Sequence, residues 1–218
     1  MRNVAGNNQY YVGGKRVPGV TTGITGQLAW SKENLIRWAW GVGASGKSLD
    51  EARQGAMDAG KIAHAMIEAD IQGQEVCLDA VEPDMRASVE AIVDRWRKWR
   101  AAHVAEALLS EQEFTSASML YGGRLDLLYR SQTGRVVLCD VKTGGLYAEA
   151  LVQTAAYAML VEENTEYRVD DLAILRIPRN STSITTLELP YDREGIAVET
   201  VRICRRLYAI QRTLESEV

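Results

Sequence analysis

The hydrophobic repeat changes period near residue 104, and that change limits what the chain can fold into. Before it, Met85, Val89, Ile92, Trp96 and Trp99 recur at alternating steps of four and three, which line one face of a helix. After it, residues 107–115, 119–130 and 135–143 read as three consecutive strands. Ser131-Gln132-Thr133-Gly134 supplies a hairpin turn between the last two. A long amphipathic helix followed by a strand meander buries its apolar face only by packing one on the other, so the fold class is mixed α/β.

The remaining segments fit that class. Residues 9–20 read as a short hairpin turning at Gly13-Gly14, with Lys15-Arg16-Val17 on the return. A helix is expected over about 28–40, with Leu28, Leu35, Ile36 and Ala39 at helical spacing and Trp38 beside them. Another runs over 48–71, opened by a Ser48/Glu51 capping box and ended near Gly73. After the meander come a helix over 147–162, an apolar strand over 170–177 and a shorter strand over 184–189. A closing helix over 193–214 carries Ile196, Ile203, Leu207, Ile210 and Leu214 on one side. The expected layout is a single domain over 1–218. It has a hairpin-and-helix extension (1–47), a core with a central mixed sheet flanked by helices (48–190), and a C-terminal helix (191–218). No run of 18 apolar residues occurs, so no membrane partner is expected, and the polar first ten residues lack a signal peptide's apolar stretch. A cytoplasmic location follows as the expectation.

Chemistry concentrates in Cys139-Asp140-Val141-Lys142-Thr143-Gly144. Alternation along a strand puts Asp140 and Lys142 on one face and Val137, Cys139 and Val141 on the other. A surface ion pair at a strand end has the same pattern. Gly122-Gly123-Arg124-Leu125-Asp126 places a second carboxylate in an apolar strand, where it needs a partner. Arg124 or Arg130 could be that partner. Asp126 and Asp140 flank the hairpin turn, so antiparallel pairing of their strands would bring the carboxylates together. A divalent cation relieves the repulsion between two such groups.

These residues resemble the PD-(D/E)XK nuclease superfamily, in its RecB-like branch. Gly-x-x-Asp at 123–126 and Asp-x-Lys-Thr-Gly at 140–144 carry the likeness. Gly60-Lys61-Ile62-Ala63-His64 is similar to the branch's Gly-x-x-x-His helix motif. Ser110-Glu111-Gln112-Glu113-Phe114 is similar to its acidic strand, and Gln153-Thr154-Ala155-Ala156-Tyr157 to its Gln-x-x-x-Tyr helix. The motifs stand in the family's order and cover about residues 20–178.

The resemblance implies a PD-(D/E)XK nuclease core hydrolysing DNA with Mg2+ or Mn2+. Asp126, Asp140, His64 and the Val141 carbonyl would ligate the ion. Lys142 would position or activate water and offset phosphate charge. Glu111, with Glu113 as the competing choice, would add a carboxylate, and Gln153 and Tyr157 would border the site and contact DNA or orient the lysine. Outside the motifs, His64 could instead pair with Glu68, and Gln153 and Tyr157 could simply pack. The compact chain resembles phage or prophage exonucleases of DNA recombination, repair and processing, in a bacterial or phage-infected cell. An endonuclease and a non-catalytic nucleic-acid-binding module are the alternatives. A homo-oligomer and a recombination partner protein are both open.

A net charge of −4 offers nucleic acid no general attraction, so phosphate contacts require a local basic strip or a metal. Arg95-Trp96-Arg97-Lys98-Trp99-Arg100 is the best strip, though its tryptophans belong to the apolar stripe and its charges also suit a solvated face. Arg176 and Arg179 are alternative phosphate contacts. Gly41 to Ser48 matches the phosphate-loop spacing, but the segment before it looks helical rather than strand-like, so nucleotide binding is not expected. Cys77, Cys139 and Cys204 are too few and too scattered for an iron–sulfur cluster, which is therefore not expected. Reduced, buried thiols are the expectation.

Overall fold

The computed structural model describes residues 9–28, 32–46, 48–74, 81, 83–178 and 183–217. The hairpin is β1 (Tyr10–Val12) with β2 (Lys15–Val17). A short helix, α1 (Val20–Gly23), and a 3-10 turn at Thr25–Gln27 follow. Three longer helices come next: α2 (Lys32–Ala44), α3 (Leu49–Ile71) and α4 (Pro83–His103). The strands β3 (Val104–Ser110), β4 (Glu113–Ser116), β5 (Tyr121–Arg124), β6 (Leu127–Ser131) and β7 (Val136–Lys142) succeed one another. The chain then runs through α5 (Glu149–Asn164), β8 (Asp171–Arg176), β9 (Thr185–Pro190) and α6 (Ile196–Glu217).

The main sheet has the order β3-β6-β7-β8-β9. Its pairings are antiparallel except β7 with β8, whose parallel alignment needs a crossover, and α5 provides it. Alternation along β7 feeds two cores. Val136 and Leu138 join α5 and α6 on one face, among Val152, Ala155, Leu160, Val198 and Val201. Val137, Cys139 and Val141 join α3 and α4 on the other, among Ala63, Ile67, Ile92, Trp96 and Trp99. The result is three layers, with helices on both faces of a mixed sheet. Val20, Ile24 and Leu28 insert into the first core, so the N-terminal segment packs as part of it.

Several expectations change. The segments 107–115 and 119–130 are each two strands rather than one. β4 and β5 pair with each other in a separate ribbon, and the chain breaks at Glu111 and at Leu125-Asp126. The helix expected at 28–40 is Lys32–Ala44, and residues 29–31 lie outside the described ones. Its apolar positions Leu35, Ile36 and Trp38 are exposed, because both sheet faces are already covered by other helices. The closing helix likewise turns Ile196, Ile203, Leu207, Ile210 and Leu214 to solvent and buries Val198, Val201 and Cys204 instead. Cys139 and Cys204 are buried free thiols, and Cys77 lies outside the described residues.

The basic strip on α4 is largely spent on structure. Asp70 of α3 accepts from Trp96 Nε1 at 2.9 Å, Arg97 Nε at 2.8 Å and Arg100 Nη1 at 2.8 Å. Arg95 donates to the carbonyl of Pro178. Burial pushes the Asp70 carboxyl up, but the hydrogen bonds from Arg97, Trp96 and Arg100 outweigh it and hold the group below its ordinary range. A folded value below the unfolded one stabilises the fold above the unfolded value and is lost as pH falls through the folded one. Asp70→Asn is therefore expected to cost about 1–3 kcal/mol in urea unfolding at pH 7. The gap to wild type should close as the pH falls below about 4.

Candidate active site

The hairpin register brings the two key carboxylates together. β6 and β7 pair with Leu127 opposite Cys139, so Asp126, one residue before β6, falls beside the end of β7. There Asp126 Oδ2 accepts the backbone N–H of Val141 at 2.6 Å. Asp140 and Lys142 share a face, as alternation requires, and Lys142 Nζ lies 3.0 Å from Asp140 Oδ1 and 2.7 Å from Oδ2. Asp140 is 2% exposed while Lys142 is half-buried, so the carboxylate end of this pair is buried and the amine end is only partly so.

Helix α3 delivers His64 to the same corner, its Nδ1 lying 3.4 Å from both Glu111 Oε1 and Asp126 Oδ1. Its Nε2 is 3.1 Å from the carbonyl of Val141. One ligand atom each from His64, Glu111 and Asp126 lies within 4.8 Å of the others. Glu111, not Glu113, is in this cluster, and Glu113 is exposed on β4. The two are not on one strand. Glu111 adopts a left-handed backbone (φ 50°) at the break between β3 and β4, a conformation that costs a non-glycine residue about 1–3 kcal/mol. Arg124 pairs with Glu111 at 2.6 Å and reaches Glu68, not Asp126. That use of Arg124 has no signal in the sequence, because it depends on the break at Glu111.

The charges explain one another. The charge of Asp126 raises the His64 imidazole well above its ordinary range, against burial and with help from Glu111. A protonated ring donates from both nitrogens, which fits its contacts with the carboxylates and with the Val141 carbonyl. Burial pushes Asp126 up, but His64, Lys142 and the Val141 N–H outweigh it and hold the group below its ordinary range. Burial raises Glu111, opposed by His64. Burial pushes Asp140 up to about 6, with Lys142 opposing and Asp126 adding to the rise. Lys142 is raised despite burial, by Asp140 and then Asp126, so it is held as an ammonium.

Behind the lysine runs a short relay. Lys142 Nζ donates to Gln153 Oε1 at 3.0 Å, and Gln153 Nε2 donates to the Tyr157 hydroxyl at 3.0 Å. The Tyr157 ring in turn packs on Gly123, where an added Cβ would stand 2.6 Å from the ring. Gly122 has the same relation to the ring of Tyr10, at 2.4 Å. The glycine pair ahead of Asp126 thus exists to admit two aromatic rings. Of the alternative contacts, Arg176 donates to the carbonyl of Gly144, and Arg179 lies outside the described residues. Gly41–Ala44 continues helix α2 where a phosphate loop would need a strand-to-helix turn, and Lys47 is not described.

A family model for the PD-(D/E)XK nuclease superfamily matches residues 35–216. This chain belongs to that superfamily. No curated protein matches it. Among solved structures, it is similar to a "Putative exonuclease" from Eubacterium rectale, with 14% identity and a TM-score of 0.50 over 75% of this chain and 68% of that one. It also matches the crystal structure of SSO0001, with 12% identity and a TM-score of 0.37 over 70% of this chain and 74% of that one. The first likeness is one of fold, and PD-(D/E)XK nucleases share a mixed sheet flanked by helices of the kind described above. Two glycines separate the structural roles in the site. Gly123→Ala is expected to cost about 1–3 kcal/mol by overpacking against Tyr157. Gly144→Ala, where no atom of the described residues lies within 4 Å of an added Cβ, should stay within about 0.5 kcal/mol in the same urea unfolding measurement.

Proposed function

We propose that this chain is a divalent-metal-dependent DNA exonuclease of the RecB-like, phage-exonuclease type, acting in the cytoplasm of a bacterial or phage-infected cell. One observation carries the reading. An imidazole and two carboxylates, His64, Glu111 and Asp126, converge beside the part-buried Asp140–Lys142 pair at the end of the central strand. The exonuclease rather than endonuclease sense draws on the name of the Eubacterium rectale protein.

The donor set fits a metal. Two carboxylates and an imidazole supply hard oxygens and one nitrogen, which suit Mn2+ well and Mg2+ through the oxygens. His64, Glu111 and Asp126 would hold the ion, with Asp140 and the Val141 carbonyl as the neighbouring oxygens. When bound, a divalent ion polarises a phosphoryl oxygen and lowers the pKa of a coordinated water.

The protein's own groups do the rest. Lys142, paired with Asp140 and bonded to Gln153, serves as a hydrogen-bond donor and positive charge toward the phosphate and positions or activates the attacking water. Asp140 anchors it, and Gln153 fixes the direction of its amine. Tyr157 fixes Gln153 in turn, so both are positioning residues. Water adds across the phosphodiester and leaves one phosphate end and one hydroxyl end.

End-labelled linear DNA should be degraded with Mn2+ or Mg2+ and survive in EDTA. Covalently closed circular DNA should survive throughout. Asp140→Ala and Lys142→Ala are each expected to lower the rate by about 100-fold or more, the scale of losing one preorganised charge at a reacting centre. Cleavage in EDTA, or full activity in both variants, would overturn the mechanism. Cutting of closed circles would overturn the exonuclease sense.

A further inference from the structure

Beside His64, Glu111 and Asp126 lies a groove of about 1200 Å³, walled by the β1–β2 hairpin and by α6. Glu111 and Asp126 line it, and apart from these two the charged residues lining it, among the described ones, are cations: Lys15, Arg16, Arg124, Arg205 and Arg212. The chain as a whole carries −4, so this concentration of positive charge is local. Lys15 and Arg16 have no ion pair among the described residues, whereas Arg212 is shared with Glu215 and Arg124 with Glu111 and Glu68. Arg205 is fixed by donating to the Leu120 carbonyl at 3.1 Å and by lying over the Tyr208 ring at 5.9 Å. Tyr10 and Tyr208 place half-buried rings among these cations.

We propose that this groove seats a single-stranded polynucleotide and leads its phosphodiester to His64, Glu111 and Asp126. The inference rests on the nuclease reading and adds the form of the substrate. Cations spaced along a groove track a phosphate backbone, and interleaved aromatic rings stack on bases of any sequence. In a duplex the base faces are already stacked and hidden, so the tyrosines contribute only to an unpaired strand. The groove also bears on the charge problem, since an acidic protein attracts a polyanion where cations are gathered, and Lys15 and Arg16 carry no ion pair among the described residues.

The test is binding of fluorescein-labelled dT12 to the full chain in EDTA, followed by anisotropy at several salt concentrations. The Lys15→Ala/Arg16→Ala double variant should weaken binding and flatten the salt dependence by about 0.7 in log–log slope for each phosphate that is no longer neutralised. Tyr208→Leu should weaken binding roughly 5- to 150-fold, the effect of removing a base stack, with the salt slope unchanged. In parallel, Mn2+-dependent hydrolysis of bis(p-nitrophenyl) phosphate, too small to span the groove, should be unaltered in all variants. That control separates the two claims. If wild type fails on the small diester while the variants still weaken dT12 binding, the nuclease reading falls and the groove stands. The groove is overturned if the variants bind dT12 as wild type does, or if they lose the small-diester activity. It is also overturned if a blunt 12-bp duplex binds as tightly as dT12 and responds to the same variants.

Discussion

A carboxylate buried to 2% exposure at the end of a central strand cannot stand alone. Asp140 is that group, and most of the site follows from compensating it. Leaving it charged and unpaired would cost several kcal/mol, so Lys142, on the same face of β7, is drawn onto it. Asp126 then arrives by hairpin register and adds a second negative charge beside the first. His64 and the Val141 N–H offset that charge from the other side. The His64 ring faces both carboxylates, Glu111 and Asp126, at 3.4 Å, and they push its pKa upward. A divalent ion would supply more charge at the same place, which is why the cluster reads as a metal centre rather than as an ordinary ion-pair network.

The parts legible in the sequence were those set by local periodicity. The switch of period near residue 104 gave the helix-then-sheet order, and alternation in β7 placed Asp140 and Lys142 together, with Val137, Cys139 and Val141 in the opposite core. Residues four apart on a helix gave Gln153 and Tyr157 one face, and the structure joins them by a hydrogen bond. The relay to Lys142 needs the tertiary fold and could only be expected through resemblance.

What was not legible depended on breaks and on competition. The left-handed turn at Glu111 splits one apparent strand into two and decides which glutamate enters the site, and no periodic signal marks it. The stripes of α2 and α6 follow the helical period yet face solvent. Periodicity reports that a helix has an apolar face, not that the sheet has room for it. The strip on α4 was the densest basic run in the sequence, but Asp70 takes up Arg97 and Arg100. The groove's cations come instead from positions as distant as Lys15 and Arg212, joined only by folding.

The central claim is that His64, Glu111 and Asp126 form a divalent-metal centre next to Asp140 and Lys142. Anomalous scattering from crystals soaked in Mn2+ tests it most directly. The account predicts a manganese peak bounded by His64, Glu111 and Asp126, and its loss in an Asp126→Asn variant that still folds. No peak at saturating Mn2+, or a peak elsewhere with these three side chains undisturbed, would contradict it.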